Sequence, residues 1–158
     1  MILAAAAVDM RLFVFPERDL SPTHADAIVV YGGPGERTER AWELADQGHA
    51  STVVVSVPDP RSCTHERATV VELCYTPDPA TTRGEAQAVA AMARDRGWND
   101  LIIVAGTTQV TRLRLRQGRC FDGNLQVVAV REPLGPFLYR WVYEHGALVK
   151  ALVLQRSC

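Results

Sequence analysis

The chain has 158 residues, 47% hydrophobic and 22% charged, with a formal net charge of −1. That length supports one domain with a substantial core, and the charge balance excludes the basic excess of a nucleic-acid surface. Lys150 is the only lysine, so the cations are nearly all arginine, the side chain suited to bidentate recognition of carboxylate and phosphate.

Residues 1–24 form an N-terminal segment. Ile2 to Val8 is apolar, but Asp9 and Arg11 interrupt it, far short of the roughly 20 apolar residues of a spanning helix. A basic leader and a clear cleavage site are both lacking. The segment reads either as the remnant of a membrane anchor or as a short piece packed on the domain.

Residues 25–158 alternate apolar runs with helical periods, as in βαβ units. The first strand is Ala27 to Tyr31, ending at Gly32-Gly33. Pro34 suits the first turn of the helix that follows, which carries Ala41, Leu44 and Ala45 on one face and stops near Gly48. Thr52 to Val57 is a valine-rich second strand, broken by Pro58-Asp59-Pro60. Cys63 to Ala68 allows one or two helical turns. Val70 to Tyr75 reads as a third strand, bounded by Pro77-Asp78-Pro79. Thr82 is then an N-cap with Glu85 three residues on, a capping box, before Ala86, Val89, Ala90 and Ala93 at helical spacing. Leu101 to Ala105 is a fourth strand, continuously apolar as in a doubly covered parallel sheet. A helix from Thr107 places Arg112, Arg116 and Arg119 on one face. Gln126 to Val130 is a fifth strand, and Phe137 to Leu154 a C-terminal helix, with a strand over Ala151 to Leu154 as the alternative. The expected fold is α/β: a three-layer αβα sandwich, Rossmann-like, with about five parallel strands.

In such a sheet, ligands collect beyond the strand carboxyl ends, near helix N-termini. Gly32 and Gly33 let backbone N–H groups approach an anion, although they equally serve a tight strand-to-helix turn. Arg37 and Arg40 lie in the following helix and can clamp a carboxylate or phosphate, or pair with nearby glutamates. Ser56 ends the second strand as a ligand contact; no Gly-x-Ser-x-Gly surrounds it. Asp78, Thr81, Thr82 and Glu85 form the densest polar cluster. There Thr82 binds ligand and Glu85 or Asp78 serves as general base, unless the capping box accounts for the pattern. Thr107, Thr108, Gln109 and Arg112 follow the fourth strand as further ligand contacts, or as a cap and a solvated arginine. His24, His49, His65 and His145 show no metal spacing, so no metal is expected. Adjacent on a helix, Glu144 and His145 diverge by about 100° and form no dyad.

The four cysteines, Cys63, Cys74, Cys120 and Cys158, contain no C-x-x-C. Their order allows Cys63–Cys74 and Cys120–Cys158 bridges, or four reduced thiols.

From about Ala25 to Ala151 the chain resembles the YdcF/SanA/ElyC-like family of bacterial envelope-associated domains. The resemblance rests on Asp26-Ala27-Ile28-Val29-Val30-Tyr31-Gly32-Gly33, the Arg37 to Arg40 region, Ser56, Thr82-Arg83-Gly84-Glu85-Ala86, Val104 to Arg112, and Glu144-His145-Gly146-Ala147. Two departures stand out. Gly106 and Gln109 replace the Ser and His of the family's Thr-Ser-x-x-His-x-x-Arg, and Ser56-Val57-Pro58 replaces Ser-Gly-Gly. The resemblance implies a Rossmann-like domain at the extracytoplasmic face of the cell envelope, with cytoplasmic placement as the alternative. It also implies an N-terminal membrane anchor, while a small anionic ligand is the reading of the strand-end glycines and arginines themselves. Three functions follow: a hydrolase or transferase acting on a phosphorylated envelope intermediate, a non-catalytic module for S-adenosylmethionine or a nucleotide-like ligand, or an envelope interaction domain with a vestigial pocket. An extracytoplasmic site also favours both disulfides.

Overall fold

A computed structural model describes residues 2–32, 35–59, 61, 63 and 69–158. Gly33, Pro34, His65 and most of the proposed Cys63 to Ala68 turns lie outside the described residues.

Five strands, β1 (Ala27–Val30), β2 (Thr52–Ser56), β3 (Val71–Tyr75), β4 (Asp100–Gly106) and β5 (Asn124–Val130), form one sheet in the order β3-β2-β1-β4-β5. Every pairing is parallel. The sheet is flanked by α2 (Glu36–Asp46), α3 (Thr82–Arg96), α4 (Val110–Gln117) and α5 (Leu134–Val153).

The central strands read as unbroken apolar runs because both faces are covered. Ile28, Val30, Val53, Val55, Ile102 and Val104 pack with Ala41, Trp42, Leu44 and Ala45 of α2. The intervening Ala27, Val29, Val54, Leu101 and Ile103 pack with Val89, Ala90 and Ala93 of α3 and with Val110 and Leu113 of α4. Period-2 alternation thus feeds two cores from the same strands. This is the expected three-layer α/β fold.

The order in which strands are added reverses between β1 and β4, while all strands keep one direction. Strands β2 and β3 lie on one side of that pair and β5 on the other. A crevice opens at such a switch point, beyond the strand carboxyl ends.

The N-terminal segment packs on the domain. Helix α1 (Ile2–Asp9) runs into a π-helical turn, Met10–Val14. Phe13 is buried with its ring 4.3 Å from that of His145. The Asp9 carboxylate accepts the Trp141 indole N–H at 3.1 Å and meets His145 Nε2 at 2.5 Å. Among the described residues no helix is long and apolar enough to cross a membrane.

One local expectation needs correction. The N-cap of α3 is Thr81, not Thr82: its side chain accepts the Gly84 N–H at 3.2 Å. The chain turns tightly before the helix, with Thr81 N–H bonded to Pro79 O at 2.7 Å. This shifts the cap by one residue and leaves Glu85 one place too far along to close a capping box. The C-terminal segment is helical through Val153, so the alternative strand does not form.

Candidate functional site

At the end of β1 the backbone turns through Gly32, whose φ of 78° lies in the left-handed region. A Cβ there would meet the Arg37 guanidinium at 2.7 Å. Arg37 folds back from the first turn of α2 into this space. Its Nη2 donates to Gly32 O at 2.9 Å, and its Nη1 to Gln109 Oε1 at 3.2 Å. Burial, then repulsion from Arg140, pull this guanidinium below its ordinary range, against the opposing pull of Glu132 and Glu85.

Helix α3 brings Glu85 to the same place. The residue is 6% exposed, and its Oε1 accepts the Gly32 N–H at 2.8 Å. The carboxylate therefore joins two rim segments instead of capping its own helix. Two phenols sit in its field. Burial first, then Tyr75 and Glu85, hold the Tyr31 phenol well above its ordinary range. Burial and Glu85 raise that of Tyr75. The Tyr31 hydroxyl donates to the fully buried Gln117 Oε1.

Arg112 reaches the rim from α4. Its Nε and Nη2 donate to the two oxygens of Glu144 at 2.6 and 2.7 Å, a bidentate pair with Glu144 fully buried. Burial alone would lower the Arg112 pKa; the hydrogen bonds and charge of Glu144 outweigh it and hold the guanidinium above its ordinary range.

A cavity of about 570 Å³ opens over the strand ends. Gly32, Ser56, Thr82, Glu85, Gln109 and Arg112, taken from four separate stretches of sequence, all line it, joined by Tyr31 and Tyr143. Its volume falls within the range of small-molecule sites.

Other candidates lie elsewhere. Arg37 lines a neighbouring cavity of about 260 Å³ with Arg131, Glu132 and Arg140. Arg40 pairs with Glu43 at 2.8 Å on α2. Asp78 is exposed and outside the cavity lining. The Thr107 hydroxyl donates to Val130 O at 3.1 Å, and that of Thr108 to Glu132 Oε2 at 2.8 Å. Both tie β4 to β5. Gly106 makes room for this link, because a Cβ would come within 2.5 Å of Glu132 Oε1.

Sequence reading gave no site role to Glu132, Glu144 or Tyr143. Glu132 follows a strand carboxyl end and was open to the rule that found Gln109. The other two come from a distant helix, and no local pattern aims them at the rim. Glu144 and His145 do face apart, toward Arg112 and Asp9.

Disulfides join Cys63 to Cys74 and Cys120 to Cys158. Among the described residues one cluster has metal-ligand spacing, Cys63, Glu72 and Cys74. Its two sulfurs are bonded to each other, so it offers no thiolate pair.

No family model matches this chain, and no curated protein or solved structure matches it.

Proposed function

We propose that the domain binds a small anionic molecule in the strand-end cavity and acts on it as a hydrolase or transferase, with Glu85 handling the proton. One observation carries the reading. Six residues expected to meet a ligand converge on a single cavity at the switch point of the sheet. Glu85 is the carboxylate among them, with one oxygen fixed by Gly32 and the other outside that bond. The Arg112 Nη1 edge, which Glu144 leaves unengaged, supplies positive charge to the anion. The ligand class is a phosphorylated cell-envelope intermediate, in keeping with the resemblance drawn from sequence. Two disulfides agree with an extracytoplasmic setting.

A second reading is a non-catalytic module for S-adenosylmethionine or a nucleotide-like ligand. It is favoured by Gln109, which presents an amide to the cavity where the resembling family has an imidazole.

Calorimetry against S-adenosylmethionine, nucleotides and polyprenyl phosphates, with product analysis, tests both. Turnover that vanishes in Glu85→Gln while binding persists supports the enzyme. Binding without product supports the module. Absence of binding across the panel overturns both.

A further inference from the structure

A third cavity, of about 320 Å³, opens between the start of α3, α4 and the second half of α5. It shares Thr81, Thr82, Arg112 and Tyr143 with the strand-end cavity. Its remaining charged lining is Arg83, Arg116 and Lys150, with no carboxylate among the lining residues. Glu144, behind Arg112, has both oxygens in that pair. In a chain of net charge −1 this is a concentrated cationic pocket, and it holds the chain's only lysine.

Part of this charge has a structural use. Arg116 donates to Gln155 O and Oε1 at 2.5 and 2.6 Å, and Arg119 to Ala151 O at 2.8 Å. Cations there complement the carbonyls at the end of α5. Burial, then crowding by Arg119, Arg83 and Arg112, lower the Arg116 guanidinium pKa. Helix capping does not account for the other two cations. Arg83 Nη2 holds Ser157 Oγ and Cys158 O, but its Nε is buried without a hydrogen-bond partner. Lys150 is exposed and lines the same cavity, and its ammonium makes no hydrogen bond or ion pair among the described residues. Arg83, Arg116 and Lys150 thus line this cavity with no side-chain anion among its lining to offset them.

We propose that this basic cavity is a phosphate- or diphosphate-binding subsite. A ligand whose body lies over the strand ends extends its anionic end past Thr82 and Tyr143 to Arg83, Arg116 and Lys150. The inference rests on the strand-end reading only for the ligand's body. Arginine supplies planar donor edges and lysine a point charge, the usual pairing for phosphate oxygens.

The test uses the full chain with both disulfides intact. Calorimetry with inorganic pyrophosphate probes a soluble phosphate. Flotation with phosphatidylcholine vesicles, with and without phosphatidic acid, probes a lipid headgroup. The expected result is binding in at least one arm that weakens as salt rises and falls about tenfold in Lys150→Ala and in Arg83→Gln. Lys150→Arg retains it. The positive arm identifies the source. Lys150 is exposed, so its alanine variant keeps the test open if Arg83→Gln fails to fold. Binding in neither arm, or binding unchanged in Lys150→Ala, overturns the subsite. Ser56→Ala separates the two ideas: it leaves pyrophosphate binding intact and weakens only ligands that also occupy the strand-end cavity. If it weakens none of them while the Lys150 effect holds, the strand-end reading fails and the subsite stands.

Discussion

Glu85 and Gly32 are 53 residues apart in sequence and joined by one hydrogen bond of 2.8 Å between a carboxylate and a backbone N–H. The bond fixes the mouth of the cavity, because it ties the first turn of α3 to the end of β1. It also separates two roles of Glu85 that a sequence pattern leaves merged.

Glu85→Gln keeps an oxygen that accepts the Gly32 N–H. Glu85→Ala removes it. The alanine variant is expected to lose about 1–2 kcal/mol of stability, and the glutamine variant less than half of that. Urea titration of both proteins measures the difference. Equal losses would show that the carboxylate charge, and not the hydrogen bond, holds the rim.

Arg112 and Glu144 behave as a buried ion pair. Arg112→Met leaves the Glu144 carboxylate buried without its partner and is expected to cost about 3–5 kcal/mol. Arg112→Met combined with Glu144→Leu should recover most of that loss, since a packed apolar pair avoids the desolvation cost. A double-mutant cycle by chemical denaturation reads the coupling. Additive losses would contradict the pairing seen in the fold.

Gly84 is required by space, not by backbone angle. A Cβ at this position would lie 1.9 Å from the Pro79 carbonyl oxygen, a backbone atom that cannot swing away. Gly84→Ala is expected to cost about 3 kcal/mol and to lower Tm by roughly 6–12 °C. An unchanged melting curve would mean that the Pro77 to Thr81 turn yields without cost.

Alkaline pH should unfold the protein through Tyr31. Its phenol stays protonated in the fold well above the ordinary value of about 10, whereas in the unfolded chain it ionises there. The unfolded state then binds fewer protons than the native one, so stability falls as pH rises. The contribution is fully present below about pH 10 and lost above it, at about 1.4 kcal/mol per pH unit for one such group. Tyr75 acts in the same direction. Tyr31→Phe should reduce the slope of stability against pH above 10, measured by denaturant titration. A slope unaltered by that change would assign the alkaline loss to other groups.

The strands were legible because burial on both faces demands continuous apolar runs, and Ala27 to Val30 and Leu101 to Ala105 carry no competing pattern. The start of α3 was legible to within one residue. Neighbouring Thr81 and Thr82 offer the same hydroxyl, and only the turn at Pro79 selects between them. Thr107 and Thr108 looked like ligand contacts because hydroxyls after a strand suit that use. Their partners, Val130 and Glu132, belong to a strand and loop more than twenty residues away.

By itself the sequence determined the order of strands and helices, the parallel class of the sheet, and the rim on which polar residues gather. Those features depend on local periodicity and turn chemistry, which each segment carries within itself. Tertiary structure alone decided which polar groups are engaged and which face a ligand. Glu85 could cap a helix or hold Gly32, and Arg112 could meet solvent or Glu144. That choice belongs to whatever the fold places within hydrogen-bond distance, and the partner in each case comes from a remote part of the chain.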